Sequence, residues 1–230
     1  MSAGGALRRG SGRALGFSFI ELVVSMAIML AVTSSMAGFV QTARSVFEID
    51  LERADMQQRG RVSMDALFKD LVMAGAGLQL PAIAPLRRGD NNPDVPGSAF
   101  PDRISIRYRP PDAAAGDVAT LTYALRADAA GVPQLTRYDG RETDLPVADQ
   151  VAGLRFEYFD AAGQSIALER FADGPWIPDA VAADRFDADL QAIRRVRAVV
   201  RVRPARTFVG HPLADLEVAI DVSPRNLNLQ

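Results

Sequence analysis

An uncharged run of 22 residues, from Leu22 to Ala43, constrains this 230-residue chain more than any other feature. A helix needs about 20 predominantly apolar residues to cross a bilayer, so this run is long enough to span a membrane. Residues 1–20 contain three arginines, at positions 8, 9 and 13, and no acidic residue. Under the positive-inside rule, we expect a single-pass membrane protein with a cytoplasmic N-terminus. The residues that follow the apolar run are then on the opposite side of the membrane.

The composition excludes several classes of catalytic site. The chain has no cysteine, which rules out disulfides, thiol nucleophiles and cysteine-ligated zinc. Its one histidine, His211, rules out a His–His metal pair and makes a Ser-His-Asp hydrolase hard to build. The net charge of -2 provides no overall attraction to nucleic acid. We therefore predict a protein that is not an enzyme and that carries no metal or cofactor.

Glu21 stands at the start of the apolar run. A secretory signal peptide, cleaved near residues 35–37, or a plain signal anchor would account for the run itself. Neither accounts for Glu21, because a carboxylate in a membrane segment costs a few kcal/mol and is by default functional. We interpret Glu21 as a residue with a partner outside its own helix.

The string Gly16-Phe17-Ser18-Phe19-Ile20-Glu21-Leu22 resembles the class III signal of type IV pilins and of type II secretion pseudopilins. The resemblance implies that prepilin peptidase cleaves between Gly16 and Phe17 and N-methylates Phe17. Residues 1–16 are then a leader peptide. It also implies that Glu21 sets the assembly register by pairing with the N-terminal amine of a neighbouring subunit.

The apolar pattern continues beyond the membrane segment with helical spacing. We expect one helix from about Phe17 to about Ala74, with a transmembrane half over 17–43 and an amphipathic half over 44–76. Asp55 and Arg59 form an i, i+4 pair on its outer face. Glycines at 75 and 77 predict its end. The residues of the amphipathic stripe are Val46, Ile49, Met56, Gly60, Met64, Leu67 and Leu71, with Arg53 filling the gap between Ile49 and Met56.

In the rest of the chain, apolar and polar residues alternate with a period of two residues. Residues 77–103 are rich in proline and predict a loop, whereas 104–230 predict a β-rich domain. Residues 160–163 predict a turn into a second strand over 165–168. We expect an α+β, pilin-like fold, with the long helix packed on a mainly antiparallel sheet. At least five segments alternate apolar and polar residues: 104–108, 121–125, 154–158, 196–202 and 216–222.

The chain also resembles PilW-type minor pilins, through residues 57–65 and 69–75, the stretch 121–163 and the ending 223–226. This resemblance implies a subunit that takes part in initiating type IV pilus assembly, in a tip complex. Its partners are then prepilin peptidase, the inner membrane, other minor pilins and the major pilin. Three alternatives stay open: a J-type pseudopilin of type II secretion, which the chain resembles less closely, a membrane-anchored adhesin and a membrane-anchored periplasmic enzyme. Glu21 argues against a K-type pseudopilin, which lacks that acid.

Four further features have a functional and a structural interpretation, and we favour the structural one for each. The arginines at 195, 197, 201 and 203 could bind DNA phosphates, but Glu217 and Asp221 on the last strand offer a cross-strand charge match. The acids Asp184, Asp187 and Asp189 could hold calcium but lack a calcium-loop motif. We interpret His211 as a surface turn residue rather than a catalytic one. We interpret Trp176 as a side chain that caps the sheet rather than an interface anchor.

Overall fold

The computed structural model describes residues 18–78, 82–84, 102–111, 117–140, 144–171, 188–208 and 210–227. Five residues that the sequence singles out lie outside this part of the chain: Gly16, Phe17, Trp176, Asp184 and Asp187. The chain divides into two compact units, Met1–Glu48 and Ile49–Gln230.

One helix, α1, runs from Phe19 to Met73, which confirms the prediction of a single helix through both apolar patterns. It ends in a turn at the predicted glycines. Gly75 (φ +79°) and Gly77 (φ +67°) adopt the left-handed conformation that a residue without a Cβ adopts at little cost. The Gly75 amide then donates to the Arg107 carbonyl at 2.9 Å, which ties the helix end to the sheet.

The second unit contains two antiparallel sheets. The first has five strands in the order β1-β2-β3-β4-β5, and the second has four in the order β7-β6-β8-β9. Short 3-10 turns follow β7 and β9 and precede β8. The strands are β1 (Ile83–Ala84), β2 (Ile104–Tyr108), β3 (Ala119–Ala127), β4 (Pro133–Tyr138), β5 (Asp144–Asp149), β6 (Val151–Phe159), β7 (Ser165–Ile166), β8 (Arg195–Val202) and β9 (Leu216–Val222).

This layout is the α+β, pilin-like arrangement of a long helix on antiparallel sheets, as the sequence predicts. The five alternating segments lie in β2, β3, β6, β8 and β9. The predicted turn joins β6 to β7, and Asp160 Oδ1 accepts hydrogen bonds from the amides of Ala162 and Gln164 at 2.9 Å each.

Four details differ from the sequence prediction. There are two sheets instead of one, and β1 lies inside the stretch 77–103 that the prolines predict as loop. The pattern also missed β4 and β5, which have few buried apolar residues and include Pro146, so their pairing with neighbours outweighs local preference. The strand predicted over 165–168 ends at Ile166, because Leu168–Phe171 turns into a 3-10 helix.

The core of the second unit lies between α1 and both sheets. The predicted stripe residues Met56, Gly60, Met64, Leu67 and Leu71 are buried. The prediction for Arg53 was wrong: its side chain is 61% exposed, and its neighbour Glu52 completes the buried stripe. The apolar partners of the stripe include Ile104, Ile106, Leu121 and Leu135 from the first sheet and Val196, Ala198, Val200 and Val202 from the second.

Candidate functional site

The part of α1 in the first unit is an apolar segment without cover. Among residues 18–48 no side chain is buried, and only Ala43 is half-buried. The helix is long and apolar enough to cross a membrane. Large apolar side chains point outward on every face: Phe19, Ile20, Leu22, Val23, Val24, Met26, Ile28, Met29, Leu30, Val32, Met36, Phe39, Val40, Val46 and Phe47.

Hydroxyl groups within this segment bond to the helix itself. Ser25 Oγ donates to the Leu22 carbonyl at 2.8 Å, and Thr33 Oγ1 donates to the Met29 carbonyl at 2.8 Å. Thr42 Oγ1 does the same with the Gly38 carbonyl at 3.0 Å. A hydroxyl that is bonded within its own helix can enter an apolar environment without an unsatisfied polar group. The segment is therefore compatible with lipid or with neighbouring apolar helices.

Glu21 is the one charged residue among residues 18–43 and lies in the first turn of α1. The positive end of the helix dipole favours a carboxylate there. Its side chain is exposed and makes no hydrogen bond or ion pair with any described residue. Helical spacing places Ser25 and Ile28 on the same face. Glu21 can thus accept a donor or pair with a cation that comes from another molecule.

A buried polar cluster holds the C-terminal half of α1 to the first sheet. Asp70 Oδ2 accepts hydrogen bonds from Tyr123 Oη at 2.6 Å and from Arg137 Nε at 2.7 Å. Burial, together with the Asp70 carboxylate, raises the pKa of Tyr123 well above its usual value. Burial alone would lower the pKa of Arg137, but the hydrogen bond and charge of Asp70 raise it on balance. Sequence periodicity missed Asp70, because it scores a carboxylate as a surface residue.

A second polar cluster holds α1 near the junction of the two sheets. Glu52 Oε1 accepts a hydrogen bond from the Ala205 amide at 2.6 Å and lies 3.6 Å from Arg59 Nη1. Arg59 Nε donates to Asp149 Oδ1, at the end of β5, at 2.9 Å. The predicted pair with Asp55 forms at 3.5 Å. However, the Arg59 side chain is only 18% exposed and bridges inward, so it is not an outer-face residue.

The arginines of β8 face acidic residues across the strand pair, as the charge-match interpretation predicts. Arg197 lies opposite Asp221, and Arg201 lies opposite Glu217. Arg195 forms an ion pair with Asp221 at 3.2 Å. Arg203, just past the strand, donates instead to the Gln150 side chain at 2.8 Å. Because of these contacts, the surface formed by β8 and β9 carries both positive and negative side chains.

The remaining candidates do not converge on one place. His211 is exposed in the loop between β8 and β9. Asp189 pairs with Arg170 at 2.6 Å. Within the described ranges, no group of three His, Asp or Glu side chains could hold a metal ion. The sequence matches no protein-family model and no curated protein.

Proposed function

We propose that this chain is a PilW-like minor pilin of the bacterial inner membrane, which prepilin peptidase processes after Gly16 and which helps to initiate type IV pilus assembly in a tip complex. Its N-terminus is cytoplasmic before cleavage, and its β-rich domain is periplasmic. A J-type pseudopilin of type II secretion and a membrane-anchored adhesin are the alternatives.

One observation carries the proposal: a single helix has an uncovered apolar half with one carboxylate at its start and a second half buried on antiparallel sheets. Each exposed Val, Leu, Ile, Met or Phe side chain gains about 1.5–3 kcal/mol on leaving water. That half therefore requires lipid or other apolar helices around it. A pilin subunit meets both environments in turn. Lipid surrounds its helix while the subunit is in the membrane, and the helices of other subunits surround it in the filament.

The position of Glu21 fits an assembly role. Cleavage after Gly16 would create a cationic amine at Phe17, and the Glu21 carboxylate is free of described partners. A lone carboxylate or amine in an apolar medium is costly, whereas a pair of them offsets both desolvation costs. Pairing between neighbouring subunits would fix the axial position of each new subunit. The Glu21 carboxylate would thus set the register of one subunit relative to the next.

Processing is tested with Gly16→Glu, co-expressed with a prepilin peptidase, and read by the intact mass of the purified chain. The wild type should lose residues 1–16 and gain one methyl group, while the variant should keep the precursor mass. Gly12→Glu is the matched control, because it adds the same charge to the leader away from the cleavage site. Normal processing of the Gly16 variant, or no processing of the wild type, would refute the class III interpretation.

Assembly is tested with Glu21→Ala, by measuring the protein recovered in sheared filaments relative to the membrane fraction. We expect normal cleavage and a loss of incorporation, because the variant removes the carboxylate and leaves the apolar helix intact. Ser25→Ala, on the same helix face, removes only a hydroxyl bonded to its own helix and should be incorporated normally. Equal recovery of the Glu21 variant would contradict the register role.

The choice between pilus and secretion is tested by deleting the gene in a host whose pilus retraction motor is disabled. Loss of surface pili with normal protein secretion supports the minor pilin. Normal pili with failed secretion would assign the chain to the J-type pseudopilins. Loss of attachment alone, with normal pili and secretion, would favour the adhesin.

A further inference from the structure

The two sheets have four outer edges among the described strands, and three of them are poor templates for pairing. β1 and β7 have two residues each. β5 contains Pro146, and its pairing with β4 is irregular between Leu135 and Thr136. β9 differs, because its seven residues contain no proline or lysine and pair with β8 without a register shift. A long, regular edge presents a row of backbone N–H and C=O groups with which another strand can pair.

The inward-facing side of β9 is incompletely covered. Leu216, Val218 and Ile220 are only half-buried, whereas Ala198, Val200 and Val202 opposite them on β8 are fully buried. An open cavity of about 460 Å³ lies at the start of this row, between the α1 residues Arg53, Met56 and Gln57 and the segment from Pro212 to Leu216. A strand added beside β9 would extend the apolar row, because alternate side chains of neighbouring strands lie on the same face of a sheet.

The outward-facing side of β9 carries two exposed acids, Glu217 and Asp221. Each of them has a basic neighbour on β8, Arg201 and Arg197 respectively. No described strand lies on the other side of β9. A second copy pairing antiparallel about Ala219 would place Glu217 of one copy opposite Asp221 of the other, and like charges directly opposite are unfavourable. The charge pattern therefore favours a basic strand over self-pairing.

We propose that the edge of β9 on which no described strand lies binds an extended segment of another protein, with alternating apolar and basic residues like those of β8, as a fifth strand of the second sheet. Main-chain hydrogen bonds would provide the affinity. The half-buried apolar row and the two acids would select the pattern of the segment.

The test uses the full chain in detergent micelles and a fluorescent synthetic peptide with the β8 sequence, residues 195–202. Fluorescence anisotropy should show saturable binding, and hydrogen exchange should slow in β9. A peptide with its arginines changed to glutamates should bind at least about ten-fold more weakly, because three basic residues are reversed. No binding of the first peptide, or equal binding of both, overturns the proposal.

Variants locate the site on the molecule. Glu217→Lys should weaken binding of the β8 peptide about five-fold, since one attractive cross-strand pair becomes repulsive. Glu157→Lys, on the outward face of β6 and away from the edge, should leave it unchanged. Equal effects of the two variants overturn the assignment to β9. Faster exchange in β8 would mean that the peptide displaces that strand, and protection of β9 by self-association without peptide would assign the edge to a second copy. Either result also overturns the proposal.

Discussion

Asp70→Asn tests whether the polar cluster under α1 holds the helix to the first sheet. The Asp70 side chain is 5% exposed, and one of its oxygens accepts both the Tyr123 and the Arg137 hydrogen bonds. The substitution keeps the shape of the side chain and removes its charge. Hydrogen bonds to a charged group contribute about 1.5–3 kcal/mol each, against about 0.5–1.5 kcal/mol for neutral ones. The Tyr123 bond becomes neutral and the Arg137 guanidinium loses its counter-charge, so the free energy of unfolding should fall by about 2–3 kcal/mol.

Urea unfolding of the full chain in detergent, followed by near-UV circular dichroism, measures this loss. For a unit of this size the slope is about 2 kcal/mol per M urea, so the midpoint should fall by about 1–1.5 M. Asp65→Asn is the matched control on the same helix. Its side chain is 76% exposed and lies 3.9 Å from Arg61, so its loss should stay within about 0.5 kcal/mol. Equal midpoints for the two variants would refute the role of the polar cluster in holding α1 to the first sheet.

Two further predictions concern the core. Burial raises the pKa of Tyr123 and of Tyr158 in the folded chain, so both phenols stay protonated where the unfolded chain, with a pKa of about 10, loses its protons. Their contribution to stability is complete below about pH 10. As the pH rises further, the free energy of unfolding should fall by up to about 1.4 kcal/mol per pH unit for each. Urea midpoints between pH 9 and 11.5 measure this slope. Tyr158→Phe, which removes a hydroxyl that has no hydrogen-bond partner among the described residues, should reduce it. Gly60→Leu should destabilise the second unit by about 2 kcal/mol in the same assay, because a Cβ at residue 60 would already lie 3.0 Å from Val218 Cγ2. Gly38→Leu should leave the midpoint unchanged, because a Cβ at residue 38 meets nothing within 4 Å. Equal midpoints for the two leucine variants would contradict the close approach.

Local periodicity predicted most of the fold, because it reports which residues must leave water. The single helix, its end at Gly75 and five of the strands all follow from apolar spacing and turn residues. β4 and β5 could not be predicted in this way. Their burial comes from neighbouring strands, and Pro146 obscures the local pattern of β5.

The residues of the candidate site also differ in whether the sequence alone reveals them. Glu21 is visible in the sequence because a charge at the start of an apolar run is conspicuous. Asp70 and Glu52 are not, because a carboxylate on a helix is ordinarily solvated, and only the structure shows partners 53 to 153 residues away in the chain. The position of β9 at an edge of the described strands likewise becomes visible only when the strand order is known.

The sequence by itself determined an apolar helix with one carboxylate, its continuation as an amphipathic stripe and a β-rich remainder, since each depends on residues close together in the chain. Only the tertiary structure decided how the described strands divide into two sheets, which carboxylates are buried against them and which strands lie at their edges. Those outcomes depend on contacts between distant residues, whose combined burial and hydrogen bonding outweigh the preferences of any short segment.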